Sequence, residues 1–378
     1  MTTAPVVIAG AGIGGLTAAL ALHQRGIDAI VVERAAHLKP LGVGINLLPH
    51  AVRELDALGL RPDLESISVA PRTISYHESS GRQLFSEPLG HGCGYAYPQR
   101  SVHRGRLHDM LLTAVRERLG VGAIHTGTAL ESFTRTEDGV VIHTPRGDLR
   151  AARLIGADGI HSVVRAALHP GPDPLMWSGV RMYRGAARIP AFLDGITMAI
   201  VYGDPYQLVT YPIGDGLVNW VLLADDGEPG PLPEHARWNH PADAAAVAAR
   251  VDGWQLDWLD ASALPRHSAE VFEYPMIDRN PLSQWGDDRV TLLGDAAHPM
   301  YPVGANGASQ AIVDARVLAD ELATDPSHGL CRYEARRRPE TAAVVTANRD
   351  MHRTARPSPD AIARATATYR NATERSTS

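Results

Sequence analysis

Residues 6–33 read VVIAGAGIGGLTAALALHQRGIDAIVVE, and this stretch decides the fold. A β-prone run, four glycines, an Ala- and Leu-rich run and a second β-prone run predict strand, tight turn, helix and strand. Gly10 makes the turn, Gly12 lets the backbone approach a pyrophosphate, and Gly15 allows close packing of helix and strand. The sequence therefore predicts a dinucleotide site at the start of the helix, formed by Gly10, Ala11, Gly12, Ile13, Gly14 and Gly15.

An acidic residue, Glu33, ends the second predicted strand. At that position a carboxylate can accept hydrogen bonds from both ribose hydroxyls and repels a 2′-phosphate. We therefore predict that Glu33 binds an unphosphorylated adenosine, with Arg34 beside it in the cofactor site. A glycine-rich turn without a ligand is the alternative, which the combination of strand, helix, strand and acid disfavours. The fingerprint by itself does not separate NAD from FAD.

Two later glycine-containing segments also follow β-prone runs. Residues 156–165 read GADGIHSVVR, and residues 292–299 read LLGDAAHP and lead into PVGANG at 302–307. With the amino-terminal turn, these segments resemble the three hallmarks of the single-component, FAD-dependent aromatic hydroxylases of the para-hydroxybenzoate hydroxylase type. The resemblance covers essentially the whole chain.

Three shorter stretches narrow the resemblance within that family. They read LGVGIN at 41–46, YPQRSVHRG at 97–105 and YPVGANGASQ at 301–310. All three are similar to the phenazine-modifying members, the type that acts on 5-methylphenazine-1-carboxylate. The resemblance implies non-covalent FAD, NADH or NADPH as a transient electron donor, and O2 as co-substrate. It also implies oxygen transfer through a flavin C4a-hydroperoxide.

The resemblance assigns cofactor roles to single residues. It implies that Asp295 hydrogen-bonds the ribityl chain or ribose, that Arg104 reaches the same chain or the phosphates, and that Asp158 contacts FAD and the nicotinamide donor. A helix cap at Asp295 and a solvated surface arginine at Arg104 are the alternatives. Free amides before a predicted helix suit the electron-rich N1/C2 edge of reduced flavin, at Gly304, Ala305, Asn306 and Gly307. Residues 42–46, including Gly44, are expected to form a mobile loop beside the ring.

Residues 174–223 alternate β-prone side chains with Gly and Pro, which predicts antiparallel strands and a substrate pocket against the flavin. The expected substrate contacts are Arg184, Met198, Val201, Tyr211, Trp220, Tyr301 and Pro302. The candidate catalytic residues are pocket residues without a classical acid or base, namely Pro302, Tyr211 and Val43. The 17 histidines show no spacing that resembles a metal site, so we expect no metal.

The predicted fold class is α/β, with a three-layer Rossmann-like FAD-binding domain, an inserted antiparallel β-sheet substrate domain and C-terminal helices. The predicted divisions are 1–173 for the first part of the FAD-binding domain with a β-hairpin region, 174–280 for the substrate domain, and 281–378 for the completion and C-terminal helices. The main predicted elements are a helix at 108–119, hairpin strands at 124–133 and 140–144, a buried strand at 289–293, helices within 308–347 and a polar tail at 358–378.

The composition excludes several other classes of protein. Among 378 residues, 44% are hydrophobic and 21% charged, as in a folded globular protein. A net charge of -6 offers no basic surface for nucleic acid or an anionic membrane. Two cysteines, Cys93 and Cys331, cannot build a disulfide framework, so we expect a cytoplasmic protein without signal peptide or membrane span. A monomer and a homodimer are both compatible with the sequence.

The leading hypothesis is an FAD-dependent monooxygenase that hydroxylates a planar aromatic or heteroaromatic acid. A phenazine carboxylate, hydroxylated with or without loss of the carboxylate, is the substrate that the resemblance implies. Ring hydroxylation of an amino- or hydroxybenzoate is the alternative within this class. Two other classes are a nicotinamide dehydrogenase without flavin, which the segment around Asp295 disfavours, and a non-catalytic flavoprotein sensor.

Overall fold

The computed structural model describes residues 4–38, 42–233 and 239–354, so Leu41 and the predicted tail at 358–378 lie outside it. The helices are α1 (Ile13–Gln24), α2 (Pro49–Ala57), α3 (Arg61–Ile67), α4 (Arg104–Leu119), α5 (Val163–Leu168), α6 (Ala244–Ala248), α7 (Ala263–Arg266), α8 (Gly307–Thr324) and α9 (Gly329–Thr354). The strands are β1 (Val6–Ala9), β2 (Ala29–Glu33), β3 (Gly44–Leu47), β4 (Ser68–Val69), β5 (Thr73–Glu78), β6 (Gln83–Pro88), β7 (Arg100–His103), β8 (Ile124–Thr126), β9 (Ser132–Thr136), β10 (Gly139–His143), β11 (Leu149–Ala151), β12 (Arg153–Gly156), β13 (Met176–Arg188), β14 (Thr197–Tyr202), β15 (Tyr206–Pro212), β16 (Leu217–Asp225), β17 (Gly230–Pro231), β18 (His240–Pro241), β19 (Ser268–Asp278) and β20 (Val290–Leu292).

A five-stranded parallel sheet carries the amino-terminal motif. Its strand order is β20-β12-β1-β2-β8. The central strand β1 is buried along its whole length, because helices and the small sheet β9–β11 share one hydrophobic core with it. Helix α1 follows β1 and packs against α4 and α8. The predicted α/β class with a Rossmann-like half is confirmed.

One predicted hairpin strand belongs elsewhere. Residues 124–126 form β8 at the edge of the parallel sheet, where they pair with β2. The hairpin itself is formed by β9 and β10, joined by a short turn. The single strand predicted over 124–133 is therefore wrong. This range contains β8 and the first residues of β9, which belong to two different sheets.

The large sheet has the order β18-β19-β13-β16-β15-β14-β5-β6, with β17 paired to β13. Its β5 and β6 come from residues 73–88, and β5 runs parallel to β14. The sheet therefore draws strands from outside 174–280, and the domain divisions themselves stay a prediction. One face packs on α6, α7 and their connecting loops, which leaves the other face toward the parallel sheet. No described helix is long and apolar enough to cross a membrane.

Candidate active site

A cavity of about 1070 Å³ lies between the large sheet and the turns that follow β1, β12 and β20. The predicted site residues in its wall are Gly12, Ile13, Gly14, Val43, Gly44, Arg104, Arg184, Met198, Tyr211, Asp295, Pro302, Gly304, Ala305, Asn306 and Gly307. The predicted residues outside this wall are Gly10, Gly15, Glu33, Arg34, Asp158, Val201, Trp220 and Tyr301. Among the described residues, no cluster of His, Cys, Asp or Glu could hold a metal ion.

The glycine turn after β1 combines tight packing with open space. Gly10 has φ +106°, and a Cβ there would lie 2.4 Å from the Ala157 carbonyl oxygen. A Cβ at Gly15 would lie 2.0 Å from the carbonyl oxygen of Gly10. Around Gly12, by contrast, a Cβ would meet no atom within 4 Å, and no side chain caps the helix that begins next. Uncapped amides beside this open space fit a pyrophosphate.

Glu33 lies beside the glycine turn and is half-buried. Its carboxylate accepts hydrogen bonds from the backbone N–H of Ala11 at 2.9 Å and of Ala35 at 2.8 Å. Each oxygen keeps a lone pair that could accept a hydrogen bond from a ribose hydroxyl. The contact of Glu33 with the adenosine remains a prediction. Arg34 is exposed, and its cofactor role also remains a prediction.

Asp158 accepts hydrogen bonds at the start of a short helix whose N-cap residue is Ser162. Its Oδ1 accepts from the Ser162 hydroxyl at 2.5 Å and its Oδ2 from the Val163 N–H at 2.7 Å, at the start of α5. Burial raises the pKa of Asp158, although these hydrogen bonds act in the opposite direction. The cavity wall next to it is formed by Gly159 and Ile160. A direct contact between the Asp158 carboxylate and FAD stays a prediction.

Arg165 joins the two later motifs. Its guanidinium is buried, pairs with Asp173 at 2.6 Å, and donates to the carbonyl oxygens of Ala296 and Ala297 at 3.0 and 2.9 Å. These carbonyls follow Asp295 directly. Arg165 therefore fixes the turn that carries Asp295 to helix α5.

We expect Arg165→Met to lower the free energy of unfolding by about 3 kcal/mol, because it leaves two carbonyl oxygens without their buried donor and leaves Asp173 with Arg279 as its remaining described ion-pair partner. Denaturant unfolding of the protein without FAD measures this loss. Arg25→Met is the matched control, since Arg25 and Asp320 form an exposed pair whose loss costs about 0.5 kcal/mol or less. Equal stability of the two variants would contradict the bridging role of Arg165.

Asp295 lies in a short turn after β20 and faces the cavity. No described residue donates a hydrogen bond to its carboxylate, so the alternative role as a helix cap is not supported. Asp295 is open to the cavity, but the protein around the cavity still desolvates its carboxylate and raises its pKa, whereas the nearby His298 and Arg104 act in the opposite direction. A ligand that donates hydroxyl groups would satisfy it.

The loop before α8 brings backbone amides to the cavity. Gly304 and Ala305 have φ values of +70° and +61°, and the left-handed conformation at Ala305 is uncommon for a residue with a side chain. Helix α8 then starts at Gly307 without a side-chain cap. Its first amides and its dipole suit an electron-rich ring edge. A cavity edged by Arg104, Asp295 and two uncapped helix starts fits FAD.

Residues 44–46 belong to strand β3, which pairs with β7, so the predicted mobile loop at these residues is wrong. The Gly44 N–H donates to Asn219 Oδ1 at 2.7 Å, and a Cβ at Gly44 would lie 2.4 Å from the Asn219 Cβ. Glycine is required here because β16 passes so close. Val43 precedes the strand and lines the cavity, where its carbonyl oxygen accepts from the Arg104 N–H at 2.9 Å.

The substrate side of the wall is one face of the large sheet. Met198 and Tyr211 face the cavity, but Val201 and Trp220 belong to the hydrophobic core behind the sheet. Successive side chains of a strand point to opposite faces, and this corrects the predicted pocket contacts of those two residues. Tyr301 is corrected as well, because it is buried behind the wall, where it packs in one cluster with the cavity-lining Met182 and Met276.

Arg184 is the notable charged group on this face. Its only described hydrogen bond is a long one, 3.4 Å from Nη2 to the Gly44 carbonyl oxygen, and its buried Nε has no partner. Arg184 forms no ion pair within the described residues, and burial lowers its pKa. Tyr211 lies nearby, and burial raises the pKa of its hydroxyl to about 12. The hydroxyl is therefore neutral at pH 7 and can donate.

Several wall residues were not predicted. Four are methionines, Met182, Met276, Met300 and Met351, which share with Met198 a flexible, polarizable thioether. Others come from strands β5 and β6 and the segment after them, including Tyr76, Glu87, Leu89 and Gln99. The alternation of strand residues gives a signal for Met182 and Met276, whereas Met300 follows a short turn and Met351 lies on α9. The wall residues on β5 and β6 were missed because no pattern in the sequence predicts that these two strands join the large sheet.

The sequence profile of the FAD binding domain matches residues 3–348. The chain belongs to this family. It is 44% identical to the phenazine 1,6-dicarboxylic acid hydroxylase of Lysobacter antibioticus, over 100% of this chain and 99% of that protein. It is 32% identical to the 3-amino-4-hydroxybenzoate 2-monooxygenase of Streptomyces cremeus, over 90% and 84%. The fold is similar to Klebsiella pneumoniae HpxO complexed with FAD and uric acid, with a TM-score of 0.78 and 25% identity over 98% and 93%.

Membership of the family confirms the resemblance inferred from the three motifs, and FAD is the cofactor. It excludes the dehydrogenase without flavin. The two named relatives above are both oxygen-inserting enzymes that act on aromatic acids.

Proposed function

We propose that this FAD-binding chain is an NAD(P)H-consuming monooxygenase that hydroxylates a planar aromatic or heteroaromatic carboxylic acid of the phenazine carboxylate type. One observation carries the proposal: Arg184 is a half-buried cation that has no ion pair within the described residues and whose buried Nε has no partner, in a wall otherwise rich in methionine and aromatic side chains. A carboxylate would satisfy the guanidinium, and an apolar slot suits flat rings.

The cavity is large enough for more than one ligand. Its volume of about 1070 Å³ exceeds what most single small-molecule sites need. The uncapped start of α1 would hold the pyrophosphate, and Asp295 and Arg104 the groups between pyrophosphate and ring. The start of α8 would stabilise negative charge at the ring edge. Bound FAD would accept hydride from NADH or NADPH and activate O2.

The chain's own residues orient the substrate and exclude water. Arg184 would bind the carboxylate, Tyr211 would donate to an oxygen of the substrate, and Met198 would pack on its rings. Because Tyr211 is neutral at pH 7, it acts as a donor and not as a base. This arrangement suits an electron-rich ring, which needs little help from a general base.

Ring hydroxylation of an amino- or hydroxybenzoate is the second candidate, favoured by the likeness to 3-amino-4-hydroxybenzoate 2-monooxygenase. The same contact with Arg184 would hold such a substrate. In the benzoate reaction the product keeps the carboxylate of the substrate. In the phenazine reaction the product either keeps the carboxylate or loses it.

The test is a substrate screen with isotopic oxygen. The yellow holoprotein is incubated with NADH or NADPH, 18O2 and one aromatic acid, which is a phenazine monocarboxylate, a phenazine dicarboxylate or an aminohydroxybenzoate. The masses of the products are determined by mass spectrometry. We expect faster NAD(P)H oxidation with a phenazine carboxylate and one 18O atom in the product. Product without 18O would refute monooxygenation, and no stimulation by any aromatic acid would favour the flavoprotein sensor.

We expect Tyr211→Ala to increase the share of NAD(P)H oxidation that ends as H2O2, with FAD binding unchanged. Removing a buried ring next to Arg184 leaves a void that admits water to the reaction. Peroxide and hydroxylated product are measured together. Tyr211→Phe keeps the ring and serves as the control with nearly normal coupling. Tight coupling in the alanine variant would place Tyr211 outside the reaction space.

A further inference from the structure

A buried ionic cluster lies behind the cavity wall, where no mechanism above uses it. The Asp314 carboxylate, 0% exposed on α8, accepts from His298 Nε2 at 2.6 Å and from Arg337 Nε at 2.7 Å. Arg337 lies on α9 and is also 0% exposed. Burial alone would raise the pKa of Asp314, but the interactions with His298 and Arg337 outweigh burial and lower it to about 2. Asp314 is thus charged at neutral pH.

Two hydrogen-bonded branches lead from this cluster to the cavity. In the first branch, Asp314 Oδ2 also accepts from the Gly294 N–H at 3.1 Å, and Gly294 immediately precedes Asp295. In the second branch, Arg337 Nη2 donates to Gln310 Oε1 at 2.5 Å, and Gln310 Nε2 donates to Asn306 Oδ1 at 3.2 Å. One carboxylate is therefore connected to both segments that carry predicted FAD contacts.

We propose that Asp314 is a positioning residue for FAD. It sets the backbone of the Asp295 turn directly and the loop at 302–307 through Arg337 and Gln310, so that the two segments keep one relative position. The proposal rests on FAD binding, which family membership establishes, and not on the proposed substrate. Its tests use FAD affinity and flavin spectra, so they stand even where the substrate assignment fails.

The physical reason lies in the conformations that the cluster restrains. Gly294 has φ +61°, and the loop contains two residues with positive φ, so each segment is a short turn that neither a sheet nor a long helix restrains. Asn306 is 0% exposed and its side chain also donates to the Gly304 carbonyl oxygen at 3.1 Å. Buried hydrogen bonds to a charged group fix such segments more firmly than neutral ones do.

The chain offers a matched control for the loss of a buried carboxylate. Asp278 is also 0% exposed and forms a bidentate pair with Arg349, likewise on α9, at 2.6 and 2.8 Å. We expect Asp314→Asn to raise the Kd for FAD about 10- to 100-fold, measured by titrating the protein without cofactor. We expect Asp278→Asn to lower the melting temperature comparably but to change this Kd less than about threefold, because its ion pair with Arg349 is not part of either branch.

A second pair of variants keeps the proposal testable if Asp314→Asn does not fold. Gln310→Leu cuts only the branch to Asn306, whereas Glu340→Gln removes an outer partner of Arg337 that leads to neither segment. We expect Gln310→Leu to change the visible absorption band and the midpoint potential of the bound flavin, and Glu340→Gln to leave both unchanged. The proposal is overturned if Gln310→Leu matches the parent in both, or if Asp314→Asn binds FAD like Asp278→Asn.

Discussion

Arg184→Met is expected to raise the KM for an aromatic acid about 10- to 100-fold, the equivalent of one charge-assisted hydrogen bond of 1.5 to 3 kcal/mol. The same substitution is expected to stabilise the protein without ligand by about 1 to 3 kcal/mol, because it removes a half-buried cation whose buried Nε has no partner. A substitution that weakens substrate binding but raises the free energy of unfolding indicates a side chain that is retained for its ligand.

Two controls separate charge from shape at this position. Arg184→Lys keeps a cation but loses the planar fork, so its KM should fall between those of the parent and the methionine variant. An aromatic substrate without a carboxylate should show nearly equal KM values in all three proteins. Steady-state kinetics and thermal unfolding supply both readouts. An unchanged KM for the acid in Arg184→Met would remove Arg184 from substrate binding.

Asp295→Ala is expected to weaken FAD binding about 10- to 100-fold, again the loss of a hydrogen bond to a charged group. The carboxylate faces the cavity without a described donor, so its removal should not destabilise the protein without cofactor. Titration of that protein with FAD, followed by quenching of flavin fluorescence, measures the affinity. Asp295→Asn keeps one acceptor oxygen and should show a smaller loss.

The pH dependence of FAD binding gives Asp295 a signature of its own. Burial raises the pKa of this carboxyl in the protein without FAD, and hydroxyl donors from FAD would favour the charged form and lower it. FAD affinity should therefore fall as the pH falls through this raised pKa, and Asp295→Ala should lose that dependence. Unchanged affinity in both variants at every pH would leave Asp295 without a cofactor role.

The amino-terminal half of the site could be predicted because its requirements are local. Gly10 has a positive φ, and a Cβ at Gly15 would lie 2.0 Å from the Gly10 carbonyl oxygen, so this one short turn demands glycine at both positions. The apolar runs of β1 and β20 indicate buried parallel strands in the same local way. Glycine spacing and strand pattern therefore determine the strand, turn and helix and point to the segment around Asp295.

The substrate side depended on the tertiary structure, because strand pairing and facing are non-local. The parallel pairing of β5 with β14 joins residues more than a hundred positions apart, and no local pattern encodes it. Val201 and Trp220 were assigned to the wrong face, because both faces of this sheet are apolar and only the packing of α6 and α7 decides which one is core.

The sequence by itself determined the nucleotide-binding half, because close backbone approach requires particular residues at particular places. The FAD cofactor and the class of chemistry followed from the resemblance of three motifs to the aromatic hydroxylases. Only the tertiary structure decided which side chains face the substrate, that Arg184 lacks an ion pair, and that Asp314 is connected to both FAD-facing segments. These properties arise from distances between segments far apart in the chain, and such distances exist only once the chain has folded.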